Sequence, residues 1–383
     1  MAGIDISSKK KVAFVCSGGA VKAAAFHVGV AMALEEKGFR FLGGTREGQI
    51  EGTNTDPSRT IRVYVGSSAG SLTATLLAQG GKLKDLQSSF QMDTSGRGSI
   101  PGMKYWEMLF PRVRSPKDLW SFDNFLLGMI KNRSIQSPFT TDGIANYLRT
   151  HVIQTDRFSD LEADLFVVAN EVNQSRKVVF GKYKSAPIEP YLEYRNDVSI
   201  SDACAASMAL PPVYHPYSIQ VERERRDYFD GEIREPMSEH VARDIGCDLI
   251  ICSYTHQPIR MQNGKSLSAN GIHHVTLQAL YQAIEQKIQS SRGSRNRERM
   301  LLDRVRRFFK EKQLPDVLLD ELVGELEARM TYKSNLDYIY IHPKASDVEM
   351  FLAPHFSLDK NKTERIVKKG YVAAMTSLRG LRV

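Results

Sequence analysis

Residues Ile61 to Leu77 read IRVYVGSSAGSLTATLL, a β-branched apolar run that breaks at Gly66-Ser67-Ser68-Ala69-Gly70 and resumes with helical spacing. The pattern predicts a strand, a sharp turn and a helix in immediate succession. A chain that joins strand to helix in so few residues belongs in an α/β architecture. The turn reads G-x-S-x-G, which places Ser68 on a strained elbow at the end of a sheet, its hydroxyl above the following helix N-terminus. Gly66 and Gly70 remove the Cβ atoms that would collide in such a turn. Ser68 is therefore the candidate nucleophile. A glycine- and serine-rich β-α loop without chemistry is the competing reading, and two other segments bear on the choice.

The first is Lys11-Val-Ala-Phe-Val15, a strand running into Cys16-Ser17-Gly18-Gly19-Ala20-Val21-Lys22, with a helix to about Glu36. Val21, Ala24, Ala25, Val28, Met32 and Leu34 are spaced as a buried stripe, and Gly38 suits the helix end. A strand, a Gly-Gly turn and a helix N-terminus aim several backbone N–H groups at one point. Such a nest suits a phosphate or the transient oxyanion of acyl transfer. It fits neither G-x-G-x-x-G nor the P-loop spacing. The second segment is Tyr228-Phe229-Asp230-Gly231, which follows Asp202-Ala-Cys-Ala-Ala-Ser207-Met-Ala-Leu-Pro211-Pro212. It sets a carboxylate on a turn, although Asp-Gly pairs are ordinarily turn formers alone.

Taken in order, the glycine loop (Ser17 to Lys22), the elbow (Gly66 to Gly70), the Ala203 to Pro212 stretch and Asp230-Gly231 resemble the patatin-like phospholipase family over about residues 11 to 255. Two departures stand out. The family usually carries three successive glycines before its basic residue, whereas Ala20 occupies the third place and Val21 precedes Lys22. The residue after Asp-Gly is commonly Gly or Ala in the family and is Glu232 here.

The resemblance implies a Ser-Asp dyad. Asp230 would act as general base for Ser68 and return the proton to the leaving alcohol. The backbone N–H groups of Gly18, Gly19 and Ala20 would hold the oxyanion, with Gly66, Gly70, Lys22 and Gly231 as supporting positions; Lys22 is read as a brace for the loop. An ordinary aspartate, with a pKa of about 3.9, is a weak base, so the site is expected to desolvate Asp230. The dyad needs no metal or other cofactor, and none is expected. The rival mechanism is the Ser-Asp-His order of α/β-hydrolases, for which His256, following the buried-looking strand Asp248 to Thr255, is the best-placed of the downstream histidines considered, with His240, His273, His274 and His342. His27 reads as a packed helix residue. A rival of another class is a non-catalytic lipid- or anion-binding module on the same scaffold. Transfer of the acyl group to an acceptor other than water also stays open.

The fold expectation is a three-layer α/β/α arrangement with a central, mainly parallel sheet and helical insertions, as one domain over residues 8–383. No uncharged apolar run reaches the roughly 18 residues of a membrane span, and the first residues lack the apolar core of a secretory signal. A cytoplasmic location is expected. Cys16, Cys204, Cys247 and Cys252 read as reduced, structural thiols.

Two insertions are expected. Residues 96–141, with Trp106, Phe110, Trp120, Phe122, Phe125 and Met129, suit a lid or a second packed layer. Residues 285–330 form a basic-acidic helical insertion. Residues 292–313 hold nine Lys/Arg against three acids, a large share of the net charge of +8. Leu301, Val305, Phe308 and Phe309 are assigned to its apolar face. Such a helix suits peripheral contact with an anionic lipid surface, or a hairpin in which Asp320, Glu321, Glu325 and Glu327 neutralise it. Nucleic acid is not expected as a partner. The expected substrate is a phospholipid or other acyl lipid.

Overall fold

The computed structural model describes residues 4–46, 56–90, 100–111, 137–183, 190–261 and 266–381. Its strands are β1 (Val12–Cys16), β2 (Arg40–Phe41), β3 (Thr60–Ser67), β4 (Phe110–Pro111), β5 (Phe139–Thr140), β6 (Asp164–Glu171), β7 (Arg176–Gly181), β8 (Leu192–Arg195), β9 (Tyr217–Val221), β10 (Glu224–Asp230), β11 (Leu249–Ser253) and β12 (Asp337–Ile341). The main sheet runs β12-β11-β1-β3-β6-β10-β9, with β2 beside β3 and β7-β8 beside β6; β4 and β5 form a separate two-stranded ribbon. From β12 to β6 every pairing is parallel, and β10 and β9 are added antiparallel.

Alternation along the strands separates two cores. Val12, Phe14, Ile61, Leu165, Val167, Leu249 and Ile251 face one side. Ala13, Val15, Val63, Val65, Phe166, Val168 and Ile250 face the other. Because successive side chains point to opposite faces, an apolar run such as VAFVC must be covered on both. The first side is covered by helices α1 (Ala20–Glu36), α2 (Ala69–Ala78), α3 (Ile200–Met208) and a late helix (Lys360–Ser377), the second by Glu239–Asp244 and part of α4 (Ile272–Glu311).

The expected apolar stripe of α1 proves too narrow. Residues Lys22 to Val30 are buried all round, and so are Ala31, Ala33 and Leu34. Lys360–Ser377 packs against α1 over the same face of the sheet, reaching β12, and covers the flank the stripe leaves bare. The contact is backbone to backbone: a Cβ on Gly29 would fall 1.9 Å from Val367 O, and one on Gly370 2.1 Å from Phe26 O. Gly29→Ala is expected to cost about 3 kcal/mol by forcing the helices apart, read as a lower midpoint in urea with an unchanged slope.

α4 starts well before the expected insertion, at Ile272, and runs for 40 residues, about 60 Å. Its inward face also differs. Leu302 is fully buried, whereas Leu301 and Phe308 are about half exposed, so the stripe runs one residue out of the expected phase. The acids of α5 (Asp316–Arg329) neutralise little of the basic face; the pair that crosses is Arg306–Glu327 at 3.9 Å. Trp120, Phe122, Phe125 and Met129 of the aromatic insertion lie outside the described residues. Trp106 is well exposed, while Met103 and Met108 reach the main cavity. The four cysteines are buried and unpaired. Among the described residues no helix is long and apolar enough to cross a membrane.

Candidate active site

Strand register brings the separate sequence segments to one edge of the sheet. Cys16 pairs with Gly66 on one side and with Ser253 on the other. Ser67 pairs with Val168, and the next residue of β6, Ala169, pairs with Asp230. The glycine turn after β1, the elbow after β3, the end of β10 and the Tyr254-Thr255-His256 segment after β11 therefore meet.

Ser68 has φ 51 and ψ −132 and stands at the N-cap of α2, a strained conformation for a residue with a side chain. Its neighbours hold it there. The Ser68 N–H donates to Ser207 Oγ at 2.8 Å, and Ser207 Oγ donates to Val168 O at 2.6 Å. A Cβ on Gly70 would lie 2.1 Å from Cys16 O, so only glycine lets α2 start this close to β1. The same segment that supplies Ser207 also anchors the acid, since the Asp230 N–H donates to Ala209 O at 3.1 Å.

The glycine turn is held at both ends, Ser17 N–H donating to Ser253 O at 3.0 Å and Lys22 N–H to His355 O at 3.3 Å. Gly19 has φ 127, and Ala20, in the place of the family's third glycine, has φ 56. Alanine is thus held in the left-handed region at a cost of about 1 kcal/mol.

Asp230 is fully buried. Its Oδ1 accepts the Glu232 N–H at 2.9 Å, and Oδ2 has no partner within hydrogen-bond geometry. Burial pushes its carboxyl up to about 6, against the opposing pull of the nearby Ser68 hydroxyl and the Glu232 amide. Glu232, noted in the sequence only as a departure, is buried beside it. Its Oε1 accepts the Ser67 hydroxyl. Burial pushes it up to about 7, the Ser67 hydroxyl lowers it and the Asp230 charge raises it, with the Gly18 and Met237 N–H groups also favouring the ionised form. A Cβ on Gly18 would meet Glu232 Cγ at 2.6 Å and Ser68 Cβ at 2.7 Å.

His256 lies on the far side of the turn, and the carboxylate beside it is Glu232, with Nδ1 to Oε2 at 3.6 Å. Burial, then the charges of Lys22 and His27, lower His256 to about 3. Lys22 is itself buried, and desolvation lowers it to about 7. Its Nζ donates to Tyr281 OH at 3.1 Å, and that hydroxyl meets His355 Nε2 at 2.8 Å. His27 is buried between Ser253 Oγ (2.7 Å) and Ser17 O (2.8 Å). Glu232, Tyr281 and His355 escaped the sequence reading. Glu232 sits two residues past Asp230 but carries no known pattern, and Tyr281 and His355 reach the site through tertiary contacts alone.

These groups open onto a cavity of about 440 Å³ lined by Ser68, Asp230, Glu232 and His256 at one end and by Leu72, Leu76, Met208, Leu277 and Leu280 along its walls. A buried serine on an elbow, a buried carboxylate beside it and an apolar chamber suit attack on a carbonyl attached to a hydrocarbon chain. Among the described residues no group of three or more His, Cys, Asp or Glu is placed to hold a metal ion.

No individual curated protein matches the sequence. The solved structure of VipD from Legionella pneumophila is similar at a TM-score of 0.36 and 17% identity, over 97% of this chain and 66% of that one. This chain thus spans slightly less than two thirds of that protein's length. The sequence profile of the patatin-like phospholipase family matches residues 14–243, which is more than half of the chain. The match takes in the glycine turn, the elbow and Asp230, and the chain belongs to the patatin-like phospholipases, a family of lipid acyl hydrolases.

Proposed function

We propose that the protein cleaves acyl ester bonds of phospholipids or related lipids with Ser68 as nucleophile and Asp230 as general base. The observation that carries this reading is the pairing of a strained, cavity-facing serine with a buried acid whose affinity for protons is raised toward neutrality. In the first step Asp230 takes the Ser68 proton while Oγ bonds to the ester carbon. The carbonyl electron pair moves to oxygen, next to the turn at Gly18, Gly19 and Ala20. The Gly18 N–H is turned toward Glu232, so the backbone donors for the oxyanion are those of Gly19 and Ala20, each supplying on the order of 3 kcal/mol. Collapse expels the alcohol, which takes the proton from Asp230. Water then repeats the sequence on the acyl-enzyme: its proton goes to Asp230 and from there to Ser68 as the acid leaves. The long apolar walls hold the acyl chain, and burial supports this by excluding water from Asp230.

An alkyl fluorophosphonate tests the assignment. The reagent is expected to add to one serine, with the adduct mapping to the peptide carrying Ser68, and Ser68→Ala is expected to remain unlabelled. Labelling of a different residue, or of the Ser68→Ala protein to the same extent, rejects the reading.

A further inference from the structure

Gly18 and Gly19 are flanked on both sides. Toward Ser68 stands Glu232. On the other side, a Cβ on Gly19 would lie 2.7 Å from Thr255 Oγ1 and 3.5 Å from His256 Nε2. His256 lines the cavity, so its Nε2 edge reaches the point where the glycine turn would meet a substrate oxygen. Its other nitrogen, Nδ1, faces Glu232 Oε2, and neither atom has a hydrogen-bond partner although both side chains are more than nine-tenths buried. Two facing polar atoms left unpaired, with Asp230 Oδ2 and Thr255 Oγ1 in the same state close by, call for an explanation.

The two oxygens of Glu232 play different parts. Oε1 accepts from Ser67, and the Gly18 and Met237 N–H groups point to the same carboxyl. Oε2 receives no donor. A protonated carboxyl matches this division, with Oε1 as its carbonyl and Oε2 as the hydroxyl that donates to Nδ1. Low dielectric favours this neutral pair over a carboxylate and an imidazolium, and a second negative charge next to Asp230 is disfavoured in any case. An imidazole that accepts at Nδ1 carries its proton on Nε2. The turn also has a use for another donor, because its Gly18 N–H is turned toward Glu232.

Resting on the Ser68–Asp230 reading, the geometry points to His256 Nε2–H as a side-chain donor to the oxyanion, with Glu232 as the positioning residue that keeps the proton on Nε2. When Ser68 Oγ bonds to the carbonyl carbon, the electron pair displaced onto oxygen accepts the hydrogen bond from Nε2. No proton is transferred to that oxygen, and collapse of the intermediate returns the pair to the carbonyl. The 3.6 Å separation of Nδ1 and Oε2 fits a contact that tightens in the transition state. The charged and titratable groups around this pair are Asp230, Lys22, His27, Lys177, Tyr281 and His355.

The test compares kcat for p-nitrophenyl butyrate across pH 5–9 in wild type, Ser68→Ala, His256→Ala, His256→Gln, Glu232→Ala and Glu232→Gln, with folding followed by circular dichroism. His256→Ala is expected to lose about 100-fold or more. Glutamine supplies an N–H but cannot act as a base, so His256→Gln is expected to recover at least tenfold over alanine. It also keeps the position polar should alanine fail to fold. Glu232→Gln, whose amide donates to Nδ1, is expected to exceed Glu232→Ala tenfold. Wild type is expected to lose activity above about pH 7, where Glu232 ionises, and Glu232→Gln is expected to lack that fall. His256→Ala within threefold of wild type overturns the inference. So does His256→Gln as inactive as alanine, which marks a base or a scaffold residue, or an unchanged alkaline limb in Glu232→Gln. In each of these cases an inactive Ser68→Ala leaves the nucleophile assignment standing, whereas an active one removes both.

Discussion

Ser68→Ala is expected to lower kcat for a short-chain ester by on the order of 10⁵- to 10⁶-fold, with the folded protein otherwise intact. The size follows from what the hydroxyl does. Without it no covalent intermediate forms, and the turn and cavity can only assist direct attack by water, a small remnant of the full effect. The backbone partners of the elbow do not depend on the hydroxyl, since Ser207 holds the residue 68 amide and Gly70 permits the close start of α2. Alanine tolerates φ 51 no better and no worse than serine. Stability should therefore change by no more than about 0.5 kcal/mol. Hydrolysis of p-nitrophenyl butyrate and of mixed phospholipid vesicles reads the first quantity, and urea unfolding the second. Residual activity within tenfold of wild type on both substrates would remove Ser68 from the reaction.

Asp230→Asn is expected to lower kcat by about 10⁴-fold and at the same time to stabilise the fold at neutral pH. The kinetic loss arises because asparagine keeps the shape and the Oδ1 contact to the Glu232 amide but cannot take a proton. In wild type the acid limb of kcat/KM should fall below about pH 6, where the buried carboxyl takes up its proton.

The stability effect has the opposite sign. A carboxyl that titrates near 6 when folded and near 3.8 when unfolded binds protons more tightly in the folded state. Its penalty is absent below pH 3.8, grows as pH rises through the interval, and is complete above 6. Removing it should return on the order of 2–3 kcal/mol at pH 8 and almost nothing at pH 3.5. Glu232 acts in the same direction between about 4.5 and 7. A melting temperature for Asp230→Asn at or below that of wild type at pH 8 contradicts this account of the acid.

Much of this site was legible because its geometry is local. The G-x-S-x-G turn, the Gly-Gly turn and Asp230-Gly231 each follow a strand, and the order of these segments identifies the family. Where reading failed, the determinants lie in tertiary contact. α1 showed a stripe in sequence but is buried all round, since nothing within the helix announces that Lys360–Ser377 will pack along its flank. On α4 the pattern of alternating Arg and apolar residues fits two neighbouring phases, and packing chose the one that buries Leu302. Glu232 was visible only as a mismatch to the family. Its meaning depends on Ser67, Gly18 and His256, which reach it from three other strand ends.

The place of β11 bears on where this protein can be cut. The family match ends at residue 243, before β11 begins, yet β11 lies between β1 and β12 and supplies Ser253 O to the turn. Leu277, Tyr281 and His355, all past that border, form cavity wall. A recombinant fragment trimmed to the recognisable family segment would keep every motif residue while opening a gap next to the first strand. The limits of the family match and the limits of the sheet thus fall at different residues, and a gene designed by the former would encode the elbow serine without part of the chamber around it.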